Sequence, residues 1–318
     1  MNFSENPVCK LLDIKLPLIQ AGMVWVSGAR LAAASAQAGI LGVVGAGSMQ
    51  PELLREQLMK AKTLTGNSLA VNIPLFYSKA KEQIDVALQA GIKIFITSAG
   101  SPKLYTSYLK DHGCKVLHVI STPDFAVKSE QAGVDAVIAE GFEAGGHNGR
   151  DELTTMVLIP QVLTSISIPV IAAGGIATGA GVVAALSLGA HGVQMGTRFV
   201  CTEESSAHPK FKQLLIESAF NSTMLSMKKE IPVRLYKNKF YQQIQKLEDA
   251  GASSEKINEL LGKGRAKKGI FEGDLEEGEL EIGQICSLIK DIPTVSQLVQ
   301  NLKEEITQTL STLERITR

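Results

Sequence analysis

Short, near-continuously apolar runs recur along the first two-thirds of the chain, separated by amphipathic stretches. The runs are Leu16–Ala21, Leu41–Gly45, Leu69–Pro74, Lys93–Ser98, Lys115–Ser121, Asp135–Ala139, Pro169–Ala173 and Gly192–Gly196. Runs without an alternating polar face predict parallel strands buried on both sides. The segments Ala29–Ala38, Pro51–Lys62, Ala80–Ala90 and Gly179–Leu188 read as helices between them. Strands alternating with helices in this number predict an α/β fold, a (β/α)8 TIM barrel rather than an open sheet. The unit from Asp135 to Pro169 is the longest, and its extra residues follow a strand's C-terminal end. Barrel active sites are built on that side.

The rhythm stops after Phe199. Residues 217–280 are more polar, with charged clusters at Met227–Lys239 and Lys263–Lys268 and an acidic, glycine-containing run at Phe271–Leu280. Val295–Leu310 reads as a last amphipathic helix. The expected division is a barrel over 1–216, a small helical capping subdomain over 217–282, and a helical segment over 283–318 that returns to the barrel.

Composition narrows the classes. The chain has 318 residues, 45% of them hydrophobic, which is ample for a large core. Lys+Arg 32 balances Asp+Glu 32. That argues against nucleic acid as a partner, which needs concentrated positive charge. Cys9, Cys114, Cys201 and Cys286 are far apart and form no CxxC pair, so their spacing supports no metal site and reads as buried thiols in a reducing compartment. The N-terminus lacks a basic region followed by an apolar run, and no apolar stretch approaches about 18 residues. Neither a signal peptide nor a membrane span is expected, and a cytoplasmic protein is the default.

Three places carry candidate chemistry. The stretch Ala139-Glu140-Gly141-Phe142-Glu143-Ala144-Gly145-Gly146-His147-Asn148-Gly149 crowds glycines, carboxylates and a histidine after a strand. Glycine lets backbone approach a ligand closely, and histidine exchanges a proton near neutral pH. His147 is therefore the catalytic candidate. Ala172-Ala173-Gly174-Gly175-Ile176 and Gln194-Met195-Gly196-Thr197-Arg198 end the last two strands, where barrels commonly bind phosphate through backbone N–H groups. After the first strand, Gly22 permits close approach and Met23 suits a flat ring, while the Asn72 amide suits a heterocycle edge. Trp25, the single tryptophan, follows them.

Other readings are weaker. Gly45-Ala46-Gly47-Ser48-Met49-Gln50 fails the dinucleotide fingerprint, because Gln50 stands at its third glycine. No predicted strand ends in a lysine placed for Schiff-base chemistry. His112 and His191 read as structural, whereas His118 and His208 are secondary candidates for the site.

Together these motifs resemble the nitronate monooxygenase (2-nitropropane dioxygenase) family of FMN-dependent barrels, whose superfamily includes FMN-dependent enoyl-acyl-carrier-protein reductase II. The resemblance runs from Leu16-Pro-Leu-Ile-Gln-Ala-Gly-Met23 to Met195-Gly-Thr-Arg-Phe-Val200 and resumes near Gly283-Gln284. It implies FMN at the strand C-termini. Gly174, Gly175, Gly196 and Thr197 would serve the phosphate. Ala21, Gly22, Met23 and Asn72 would surround the ring, Glu140 and Gly145 would lie beside ribityl chain or ring, and Gln194 would be a further cofactor contact. Some members carry a lysine after the strand-five histidine, where this chain has Val119. The leading expectation is oxidation of alkyl nitronates with O2, because it needs only the motifs present. The alternatives are reduction of an enoyl thioester with NAD(P)H, with acyl carrier protein as partner, and NAD(P)H:quinone reduction. A non-catalytic flavin-binding barrel is a distant fourth. A homodimer stays open.

Overall fold

The structure is a computed structural model that describes residues 3–47 and 49–316. Eight parallel strands form its centre: β1 Leu18–Gln20, β2 Gly42–Gly45, β3 Leu69–Pro74, β4 Ile94–Ser98, β5 Lys115–Ile120, β6 Ala136–Glu140, β8 Val170–Ala173 and β9 Gly192–Met195. The short strand β7, Gly146–His147, lies outside this sheet. The spatial order is β1-β9-β8-β6-β5-β4-β3-β2, and a parallel bridge between Ile19 and Leu41 closes the ring. This is the expected (β/α)8 barrel. Ser48, inside the failed fingerprint, lies outside the described residues.

Side chains alternate along each strand, so each apolar run feeds two cores. Ile19, Val43, Ala70, Ile96, Leu117, Ile138 and Ile171 fill the barrel interior. Leu18, Val44, Val71, Phe95, Val116, Val137 and Val170 point outward into the layer shared with the helices. Helix α1, Pro7–Leu12, inserts Val8 and Leu12 into the interior cluster. Its N-cap Asn6 accepts from Val8 N at 2.9 Å and donates to His191 O at 2.8 Å, just before β9. The strands' N-terminal end is thereby plugged, and the opposite end stays open.

The outer helices include α2 Ala29–Gln37, α3 Pro51–Leu64, α4 Ala80–Gln89, α5 Thr106–Asp111, α6 Pro123–Gln131, α7 Thr155–Leu163 and α8 Gly179–Ser187. Helices α9 Thr197–Val200 and α10 Pro209–Ile216 follow β9. The segment expected to be a helical cap is mixed instead. It contains the hairpin β10 Thr223–Ser226 and β11 Val233–Tyr236 as well as helices α11 Lys239–Asp249 and α12 Ser254–Leu261. Strand β11 pairs antiparallel with β7, a partner too distant in sequence for local periodicity to show. The cap has its own small core of Met227, Val233, Leu235, Phe240, Tyr241, Ile244 and Ile257.

The last helix, α13 Val295–Ile316, packs on α8 and α2. Its Glu305 carboxylate accepts from Gly179 N at 2.5 Å, at the start of α8. All four cysteines are free and buried. Among the described residues no helix is long and apolar enough to cross a membrane.

Candidate active site

The strands' C-terminal ends and the cap enclose a cavity of about 1680 Å³. The leading site residues singled out in the sequence line it: Ala21, Gly22, Met23, Asn72, Glu140, Gly145, His147, Gly174, Gly175, Gln194, Gly196 and Thr197. The fold brings them together from loops far apart in the chain.

A buried network sets the turn after β1. Gln20, fully buried, accepts from Val43 N at 3.0 Å and donates to Ser27 Oγ at 2.9 Å. Ser27 Oγ donates to Ala21 O at 2.8 Å and accepts from Met23 N at 3.0 Å. Sequence reasoning missed both positioning residues; a glutamine inside an otherwise apolar strand was the available signal. Gly22 lies hard against β3, because a Cβ there would come within 2.4 Å of Asn72 Cβ.

The second glycine cluster follows β8. Gly174 and Gly175 have φ of 95° and 71°, a left-handed region that glycine enters at no steric cost. The Glu143 carboxylate accepts from Thr155 N at 3.0 and 3.1 Å, and Thr155 Oγ1 sits 2.9 Å from Gly174 O. Thr197 Oγ1 accepts from Gly283 N at 3.0 Å, leaving the hydroxyl proton free to donate elsewhere. Gly145 completes this wall. A Cβ on it would meet the Ile282 carbonyl carbon at 2.3 Å and Gly283 N at 2.4 Å.

One polar atom marks where a ligand belongs. Gln194 is only 7% exposed, and its Oε1 has no hydrogen-bond partner among the described residues. A buried unsatisfied acceptor costs about 1–3 kcal/mol, which a ligand N–H in the cavity relieves. The orphaned amide, the glycine cradles and the flat-ring neighbour Met23 fit a planar heterocycle bearing a phosphate.

The opposite wall carries the titratable groups. His147 presents its surface to the cavity, with its ring centroid 6.0 Å from that of Phe76. Burial among protein atoms lowers its pKa, and the negative charge of Glu279 opposes that shift. The cap fixes its position: Val233 of β11 pairs with His147, and Asn148 N donates to Pro232 O at 2.8 Å. Arg234, 1% exposed, donates to Phe142 O through Nη2 at 2.8 Å and Nε at 3.2 Å. Its guanidinium also lies 4.5 Å from the Phe142 ring centroid. At the end of β6, burial pushes the Glu140 carboxyl up to about 7. Burial also raises Glu279 and Glu281, and the Glu281 charge raises Glu279 further.

The other histidines separate clearly. His118 lines the cavity from β5, with Nδ1 2.7 Å from Thr97 Oγ1, and burial pushes it down to about 4. His208 does not reach the cavity. It caps α10, accepting from Lys210 N at 3.2 Å. His112 and His191 bond to backbone, the first 2.7 Å from Tyr108 O and the second accepting from Val170 N at 3.1 Å. Trp25 lines the cavity with its ring 5.9 Å from that of Phe271.

Glycine turns at the strand ends and a titratable wall opposite give this (β/α)8 barrel the architecture of an enzyme site. The nitronate monooxygenase family model matches residues 5–83 and 67–305. The chain belongs to that family of flavin-dependent oxidoreductases. FabK from Thermotoga maritima is 38% identical with a TM-score of 0.93, over 98% of this chain and 99% of that one. A nitroalkane oxidase from Streptomyces ansochromogenes is 28% identical with a TM-score of 0.82, over 96% and 99%. A (3aS,4S,5R,7aS)-5-hydroxy-7a-methyl-1-oxo-octahydro-1H-indene-4-carboxyl-CoA dehydrogenase from Rhodococcus jostii is 30% identical, over 95% of this chain and 96% of its own.

Proposed function

We propose that this protein is an FMN-dependent reductase that takes its electrons from NAD(P)H and saturates the double bond of an enoyl thioester. The observation that carries this reading is the size of the cavity. Single-ligand sites commonly occupy about 300–1,000 Å³, whereas this one holds about 1680 Å³. That volume suits a cofactor together with a second large substrate. Its walls beyond the glycine turns include Phe76, Tyr77, Val119, Met227, Ile231 and Ile285, an apolar lining suited to an acyl chain. The 38% identity with FabK, an enoyl-acyl-carrier-protein reductase II, and the CoA thioester in the dehydrogenase's name support the same substrate class.

FMN, when bound, supplies hydride transfer. Gly175, Gly196 and Thr197 would hold its phosphate, and Gln194, Asn72 and Met23 its ring. Gly22 and Gly145 let backbone close on it from two sides, and Glu140 borders it from β6. The cap excludes water from the reacting atoms, and His147 orients the substrate by a hydrogen bond from its neutral imidazole. The cap's basic clusters contribute less than their composition suggests. Lys228, Lys239, Lys267 and Lys268 pair with Glu152, Glu277, Glu272 and Asp274. Recognition therefore rests on the acyl chain, and thioesters of coenzyme A and of acyl carrier protein are both substrates to test.

A second reading is oxidation of an alkyl nitronate with O2. It is favoured by the likeness to the nitroalkane oxidase and by the lowered pKa of His147, which suits a base. Anaerobic addition of NADH or NADPH to the purified yellow protein separates the two. Rapid flavin bleaching, followed by reoxidation with an enoyl thioester, is the expected result. Bleaching by a nitronate alone, with none by either nicotinamide, would reject the reductase.

A further inference from the structure

We propose that Glu279 and Glu281 form a carboxyl pair that shares one proton and delivers it to the substrate, with His147 as its positioning neighbour. The delivery step rests on the enoyl thioester reading; the shared proton does not.

The pair is built by strand geometry. The segment is extended, with Glu281 bridged antiparallel to Leu235, and Tyr236 N donating to Leu280 O at 2.8 Å. Residues two apart on an extended chain share a face. Leu280 is fully buried in the core, and Glu279 and Glu281 line the cavity. Glu279 is 9% exposed. The Glu281 carboxylate lies against Gly146, where Oε2 is 2.5 Å from the position a Cβ would take. Gly146 immediately precedes His147.

Among the described residues no cation forms an ion pair with either carboxylate, though Arg265 acts on Glu279 from a distance. Neither glutamate makes an ion pair or a side-chain hydrogen bond among the described residues. The charged and titratable groups acting on them are His147, Arg265 and Tyr77, together with each other. Arg265 is committed elsewhere, donating to Leu260 O and Glu277 O at 2.8 Å. Two carboxylates on one face of a desolvated strand, without a counter-ion, resist ionising together, so one keeps its proton near neutrality. His147 is the poorer source, because its lowered pKa leaves it as neutral imidazole.

Saturating an enoyl thioester needs a hydride, which the cofactor supplies at Cβ, and a proton at Cα. The carboxylic O–H bond breaks and a C–H bond forms at Cα. The pair is left with both carboxylates ionised. Their mutual repulsion then draws a replacement proton from water at the cavity mouth.

Infrared spectra of the flavin-loaded enzyme, recorded from about pH 5 to pH 9, test the shared proton without turnover. In the wild-type spectrum minus that of the Glu279→Gln/Glu281→Gln double variant, which cancels the Glu140 carboxyl, a protonated-carboxyl band should remain at neutral pH. Absence of that difference band at neutral pH would overturn the pair. Stopped-flow measurement of the two half-reactions tests delivery. Glu281→Gln should slow transfer to the enoyl thioester by about 100-fold or more, well beyond any effect on flavin reduction by NAD(P)H. Glu281→Asp should recover part of that loss. Equal slowing of both half-reactions, or no slowing, would overturn the delivery role. A wild-type enzyme with no enoyl turnover would overturn delivery together with the substrate reading, while the infrared result alone decides the shared proton.

Discussion

Glu140 shows how one buried carboxyl couples the site to stability. Burial holds its pKa up, from 4.5 to about 7. As pH rises through that window, the unfolded chain releases the proton and the native chain keeps it. Native stability is therefore lost between the two values and stays lower above them. Glu140→Gln removes the ionisation. Relative to wild type, the flavin-free variant should be about 1–3 kcal/mol more stable at pH 8 than at pH 5, read from urea midpoints. A difference independent of pH would contradict the assignment. At Gly145 the constraint is steric, since the nearest atoms to an added Cβ are backbone. Gly145→Ala should displace the wall and release most bound flavin, measured as absorbance per mole after desalting. Full flavin content would show that the wall can yield.

At the scale of elements, the pairing of β7 with β11 decides where His147 stands. The cap and the His147 loop are tied by Arg234 to Phe142 O, by Asn148 N to Pro232 O, and by Arg150 Nη2 to Glu230 O at 2.6 Å. Arg234→Leu leaves the half-buried Phe142 carbonyl without its donor, at a cost of about 1–3 kcal/mol. The expected consequence is local. Hydrogen exchange over residues 142–149 should quicken and kcat should fall, while exchange in β3–β5 stays slow. Unchanged exchange over 142–149 would show that other contacts hold the loop. The sequence placed His147 on the longest strand-to-helix loop. It did not show this clamp, because β10 and β11 are only four residues each and the charged turn between them masks their apolar faces.

For the whole molecule, stability and chemistry sit at opposite ends of the barrel. Helix α1 closes the strands' N-terminal end with Val8 and Leu12, both fully buried. The cavity opens at the other end. Leu12→Ala should cost about 2–5 kcal/mol and lower Tm, while flavin content and kcat at 25 °C stay near wild type. A variant that loses flavin in proportion to its stability would show that the two ends are coupled.

The sequence by itself determined the barrel and one wall of the site. Strands buried on both faces must be apolar throughout, and tight turns with left-handed backbone at the strand ends favour glycine. Both signals are local, so Gly174, Gly175, Gly196 and the His147 loop were legible before any contact was known. Only the tertiary structure decided what surrounds His147. Nothing near Glu279 and Glu281 in the chain says that they face a cavity beside Gly146, or that no cation pairs with them. Gln20 likewise acquires its bond to Val43 only when β1 and β2 lie side by side. Ionisation in a site depends on burial and on charges brought from distant segments, and periodicity records neither.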